Sequence, residues 1–133
     1  MKLKKDDSNN IEPTRSELEI LQVLWQHGPS TVRFVNDQIN ETIREVQYPS
    51  TLKLMQIMVD KGLLSRDESQ MKHVYKASVE EAKTKSFLLD RFVDFMYNGS
   101  PTSLMTQLLG NKKPSAKELE KIRELLKKYD KNK

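Results

Sequence analysis

Apolar residues along the chain recur at three- and four-residue spacing in blocks, and the blocks are separated by glycine, proline and small polar residues. Each of the four glycines ends such a block: Gly28 in "WQHG", Gly62 in "VDKG", Gly99 in "FMYNG" and Gly110 in "QLLG". A residue just past a helix is often left-handed, a conformation glycine adopts at little steric cost, so all four read as C-terminal stops. The five prolines, Pro13, Pro29, Pro49, Pro101 and Pro114, each precede a helical pattern, where a fixed φ and a missing N–H do no harm. Thr14 with Glu17, Ser78 with Glu81, and Ser115 with Glu118 have the spacing of capping boxes. This punctuation predicts helices over residues 14–27, 31–43, 49–61, 79–97, 101–109 and 115–129.

Only residues 63–77 carry no helical signal. There "LLSR" and "HVYKA" flank the polar "DESQMK", which predicts a hairpin with strands Leu63 to Arg66 and His73 to Ala77. Three helices followed by a hairpin is the order of a winged helix. The expected architecture is therefore mainly α with one small β-hairpin: residues 1–11 a disordered tail, 12–77 a winged helix-turn-helix domain, and 78–133 a helical dimerisation region.

In the third helix Leu52, Met55 and Val59 share a face and should bury against the first two helices. The opposite face carries Ser50, Lys53, Leu54, Ile57 and Lys61, and the helix opens with the hydroxyls of Ser50 and Thr51. An ordinary solvated face would not place Leu54 and Ile57 on the wet side. Hydroxyls, a lysine and aliphatics together suit a DNA major groove, where aliphatic groups can meet thymine methyls. At the hairpin tip Arg66, Lys72 and His73 would face phosphates, which requires Asp67 and Glu68 to point away.

In the fourth helix Leu88, Leu89, Phe92, Val93, Phe95 and Met96 span roughly 160° at 100° per residue, with Phe87 outside that arc. Leu119, Ile122, Leu125, Leu126 and Tyr129 repeat the pattern in the last helix, and Leu104 and Leu108 lie on the short helix between. The winged unit is complete before these faces begin, so their partner is expected to be a second copy of the chain.

Composition narrows the chemistry. The 133 residues contain no cysteine, 36% hydrophobic residues and 32% charged residues, which excludes disulfides, thiolate metal sites and thiol nucleophiles. No window resembles a membrane span and the N-terminus has no apolar signal core, so a cytoplasmic location without membrane insertion is expected. The net charge of +4 resides entirely in residues 78–133, because residues 1–77 carry 11 basic and 11 acidic side chains. Global basicity is therefore weak evidence for DNA; Tyr48 to Ala77 hold five basic residues against three acidic ones. His27 and His73 have no metal-ligand spacing, and no phosphate loop or nucleophile elbow occurs. Neither an enzyme nor a cofactor or metal is expected.

Taken together, "SELEILQVLWQHGPSTVRFV" (16–35), "YPSTLKLMQIMVDKGLLSRDES" (48–69), "HVYKA" (73–77), "GSPTSL" (99–104) and "SAKELEKIRELL" (115–126) resemble the penicillinase-repressor family, the BlaI/MecI/CopY type of bacterial transcriptional regulator. The resemblance runs from Glu12 to Tyr129. It implies a repressor that binds a palindromic double-stranded DNA operator as a homodimer through C-terminal helices. It also implies that Ser50, Thr51, Lys53 and Ile57 read the major groove, and that Tyr48, Thr31 and Arg33 touch the backbone. In the antibiotic-responsive branch it further implies release by proteolysis downstream of a membrane metallopeptidase sensor, at an Asn-Phe bond. Gln107-Leu108 falls at that place in "SLMTQLLG". The copper-responsive branch looks to carry paired C-terminal cysteines, which this chain lacks. The rival reading is a winged helix used for protein contact through Leu54 and Ile57, which unlike phosphate binding need not weaken with salt.

Overall fold

The computed structural model describes residues 12–131, in the order α1 (Arg15–His27), α2 (Val32–Thr42), α3 (Tyr48–Lys61), β1 (Leu64–Asp67), β2 (Val74–Ala77), α4 (Glu81–Tyr97), α5 (Pro101–Asn111) and α6 (Ala116–Lys131). The architecture is a winged helix followed by C-terminal helices. The tail expected over residues 1–11 lies outside the described residues.

Helix starts follow the punctuation closely at two of the three capping boxes. Thr14 and Glu17 close theirs reciprocally at the head of α1, with Thr14 N–H to Glu17 Oε1 at 2.8 Å. Ser115 and Glu118 do the same before α6. The box expected at Ser78 does not form, since α4 begins at Glu81 and its first turn closes from Thr84 N–H onto Glu80 O. Ser78 instead donates its backbone N–H to Leu63 O, which ties the end of β2 back to the start of the hairpin. Gly62 ends α3 in the left-handed region (φ 86°) and sends its N–H back to Met58 O and Val59 O. Gly110 does not stop α5, which continues to Asn111; one interior glycine costs about 1 kcal/mol, too little to end a helix by itself.

The chain divides into two compact units, the first ending at Leu88 and the second running from Leu89 onward. In the first unit, α1 to α3 and the hairpin enclose Ile20, Leu21, Leu24, Val35, Ile39, Met55, Met58, Leu63, Leu64 and Tyr75. On α3 the buried stripe is Thr51, Met55 and Met58, while Leu52 and Val59, expected to be fully inside, are half-buried at its edge. β1 and β2 pair antiparallel from Leu64 opposite Ala77 to Asp67 opposite Val74. Ser30, in the turn between α1 and α2, adds a rung outside that ladder: Ser30 and Tyr75 exchange both backbone hydrogen bonds, at 2.9 and 2.8 Å. This rung has no sequence signal, yet it sews the hairpin to the helices. Trp25 Nε1 donates to Val79 O (3.0 Å), and Thr84 is buried, so the structure of the first unit continues past Ala77 into α4.

The second unit differs in character. α5 and α6 bury none of their residues; Leu104, Leu119 and Ile122 are half-buried. Leu89, Phe92, Phe95 and Met96 of α4, Met105, Leu108 and Leu109 of α5, and Leu125, Leu126 and Tyr129 of α6 are exposed.

One buried charge braces the first unit. Glu17 is only 1% exposed, and its carboxylate receives Lys61 Nζ at 2.7 Å and Thr14 N–H at 2.8 Å. Burial works to raise its pKa, but the hydrogen bonds from Lys61 and Thr14 and the lysine charge outweigh it and hold the group below its ordinary 4.5. Lys61 is thus engaged in joining the end of α3 to α1, though its side chain stays 39% exposed. Lys61→Ala should destabilise the protein by about 1–2 kcal/mol near neutral pH in urea titrations, the lower part of the range for an orphaned charged group because Lys61 is this exposed and water can take its place. Because the folded pKa is depressed, this stabilisation is full above 4.5 and fades as pH falls through the lower folded value. The gap between wild type and variant should close along that acid limb; a gap independent of pH would show that the ion pair is not its source.

Candidate nucleic-acid interface

The placement of α3 relative to α2 depends on two asparagines. Asn36 is buried and donates through Nδ2 to Thr51 Oγ1 (2.8 Å) and to Val46 O (3.2 Å). One turn later Asn40 donates to Val46 O (2.9 Å) and accepts Val46 N–H (3.1 Å). The connection between the helices is thereby held at its backbone and at the first turn of α3. Thr51 is 2% exposed and committed to Asn36, so the expectation that it contacts a groove is corrected. Leu54 is half-buried and packed against the core, leaving it less available than a wet-side residue would be.

The outward arc of α3 consists of Pro49, Ser50, Lys53, Gln56, Ile57 and Asp60, with Ile57 39% exposed. Ser50, Lys53 and Ile57 lie where the sequence reading puts them. Gln56 was missed, although its position one turn from Lys53 was the available signal; its amide can donate and accept at a base edge.

Beside this arc a cleft of about 440 Å³ is lined by Thr31, Val32, Arg33, Tyr48, Leu52, Met71, Lys72, His73 and Tyr75. Five of the expected DNA residues, Thr31, Arg33, Tyr48, Lys72 and His73, meet there from three elements. Thr31 caps α2 by accepting Phe34 N–H (3.2 Å), and Arg33 lies over the Tyr48 ring at 4.3 Å from its centroid. Met71, at the hairpin tip, is fully exposed.

Arg66 is not part of this cleft. It lines a separate hollow with Pro29, Ser65, Asp67, Val74 and Lys76, and it is paired with Glu68. Asp67 accepts Ser69 N–H at 2.9 Å, the main reason its pKa is lowered. Both acidic side chains of the wing are therefore engaged within the hairpin. Lys76, which the sequence reading left out of the site, shares the hollow with Arg66.

Among the described residues no three His, Cys, Asp or Glu side chains cluster as metal ligands, and no helix is long and apolar enough to cross a membrane. Three helices, a paired wing sewn to the α1–α2 turn, and a polar arc on α3 beside a basic cleft define the winged-helix class of regulators. Within that class the chain belongs to the penicillinase repressor family, whose description matches residues 13–128. It is 24% identical over 115 residues to the penicillinase repressor of Bacillus licheniformis, covering 86% of this chain and 88% of that one. It is 23% identical to the methicillin resistance regulatory protein MecI of Staphylococcus aureus strain N315, and 24% identical to the MecI of Mammaliicoccus sciuri; each alignment covers 92% of this chain and 98% of the relative. The protein is thus a member of a transcriptional repressor family.

The asparagine lock generates a direct test. Thr51→Val keeps the shape and removes the acceptor, leaving Asn36 Nδ2 with one partner fewer in a buried site, at an expected cost of about 1–3 kcal/mol in thermal or urea unfolding. Ser50→Ala, on the exposed arc, should stay within about 0.5 kcal/mol of wild type. Equal stability losses at the two positions would contradict the burial of Thr51 and the exposure of Ser50.

Proposed function

We propose that the protein represses transcription by binding a palindromic double-stranded operator as a homodimer. The observation that carries this reading is the cleft that gathers Thr31, Arg33, Tyr48, Lys72 and His73 beside the exposed arc of α3. Ser50, Lys53, Gln56 and Ile57 enter the major groove and contact base edges, while Thr31, Arg33, Lys72 and His73 of the cleft hold the backbone and fix the register. Arg66 is paired through Nε with Glu68, which offsets part of its charge, so its contribution is smaller than its charge suggests.

The exposed apolar faces of α4, α5 and α6 support dimerisation through residues 78–133, with Phe87, Leu88, Phe92, Phe95, Leu104, Leu108, Leu119, Ile122, Leu125 and Leu126 supplying the contact. Joining two modules makes the second half-site contact intramolecular, and a two-fold dimer calls for a two-fold site. Release follows when α5 is cut near Gln107-Leu108 downstream of a membrane metallopeptidase sensor. Leu104 and Leu108 of α5 belong to the proposed dimer contact, so a cut there removes part of that contact.

Fluorescence anisotropy against the DNA upstream of the protein's own gene and against a scrambled duplex, at low and moderate salt, tests the reading. Tighter upstream binding that outlasts the scrambled complex as salt rises is expected. Binding indifferent to salt would favour a protein-contact module instead. Lys53→Ala should cost about 1–3 kcal/mol on the upstream piece and flatten base preference at one position. A chain ended after Gln107 should elute as a monomer and lose operator affinity; a surviving dimer with unchanged affinity would refute release by cutting there.

A further inference from the structure

Arg33 and Tyr48 are fifteen positions apart and belong to different helices, yet the Arg33 guanidinium carbon lies 4.3 Å from the Tyr48 ring centroid. Tyr48 is half-buried and packed against the core, so the ring is a fixed surface, whereas Arg33 is exposed. Several other cations of the same unit are neutralised at short range, among them Arg44 by Glu19, Lys61 by Glu17 and Arg66 by Glu68. Among the described residues Arg33 has no such carboxylate; its partner is the face of a ring. Stacking occupies the flat side of a guanidinium and leaves the N–H groups on its edge free, and those suit two phosphate oxygens at once. Lys72 and His73 of the hairpin tip line the same cleft.

We infer that Tyr48 is a positioning residue: its ring holds the Arg33 guanidinium edge-on to one DNA phosphate gripped between the start of α2 and the hairpin tip. On this account the Tyr48 hydroxyl is dispensable, unlike in the family-derived expectation that Tyr48 itself touches the backbone. The inference rests on the DNA-binding reading above.

The test uses the full chain, with the upstream duplex titrated at several salt concentrations, and Arg33→Ala, Tyr48→Phe, Tyr48→Leu and the double variant Arg33→Ala/Tyr48→Leu. Arg33→Ala should reduce the log–log salt slope by about one, the loss of a single phosphate contact. Tyr48→Phe should bind within about twofold of wild type, because the ring face remains, and Tyr48→Leu should bind about three- to thirtyfold more weakly. The double variant should bind no more weakly than Arg33→Ala. A large loss in Tyr48→Phe would mean a direct hydroxyl contact and overturn the inference, as would multiplying losses in the double variant or wild-type binding by Tyr48→Leu. Thermal unfolding identifies any variant that has lost its fold, and Tyr48→Phe, the mildest change, then decides between hydroxyl and ring. A second readout needs no DNA: ring-current shifts on the Arg33 side-chain protons should persist in Tyr48→Phe and vanish in Tyr48→Leu, and their absence from wild type would remove the stack itself. If wild type prefers no duplex, the DNA-binding reading has failed; if it does prefer one and the variants break this pattern, only the platform has failed.

Discussion

The hydrogen bonds from Asn36 to Thr51 and Val46 are the constraint on which the rest of the winged unit depends. An amide buried in an apolar core must find partners, because leaving one unmade costs more than a typical formed bond contributes. Here the partners are the first turn of α3 and the backbone just before it, so satisfying the amide fixes where α3 starts and how it is rolled. The roll turns Met55 and Met58 inward and Lys53 and Gln56 outward. It also carries Tyr48 beneath Arg33, a contact that depends on both helices being correctly placed. No buried side-chain nitrogen or oxygen among the described residues lacks a partner, consistent with a unit held in one arrangement by its polar groups as well as its core.

A charge-neutral half of a chain can still present a basic site if its acidic groups are occupied elsewhere. Glu17 and Glu19 are tied to Lys61 and Arg44, Glu68 to Arg66, and Asp67 to the turn at Ser69. The charges in the cleft, on Arg33 and Lys72, face no carboxylate lining it. Net charge counted along a sequence averages over this pairing; the field at a surface does not. The same pairing separates two kinds of lysine on one helix, since Lys53 is exposed on the outward arc and Lys61 is fastened to a buried glutamate.

The second unit presents the reverse situation. Its helices carry apolar stripes of the width expected of a core, but α5 and α6 bury no residue. Covering apolar surface left in water is favourable, and that gain is available to whatever apolar surface is complementary.

Much of the fold was legible in the sequence because its signals are local. Capping boxes at Thr14 and Ser115 and the left-handed glycine after α3 satisfy backbone groups within a few residues, and the proline that opens α5 removes one orphan donor, so they act the same in any context. Local signals failed where something beyond the segment competed. Ser78 closes the hairpin onto Leu63 instead of capping α4, and Gly110 is carried through by the rest of α5. The candidate site was legible in part. Ser50, Lys53 and Ile57 face outward as helical spacing suggests, and Thr31, Arg33, Tyr48, Lys72 and His73 do share one cleft. Thr51 lies inside and Lys61 is tied to a buried glutamate because a 3.6-residue period gives the angles between side chains but not the direction of the core. That direction was decided by tertiary structure, through an asparagine fifteen residues before Thr51 and a glutamate forty-four residues before Lys61. The sequence by itself determined which elements form and in what order, because those depend on neighbours along the chain. Only the tertiary structure decided which polar groups are free to meet a ligand, because that depends on partners brought together across it.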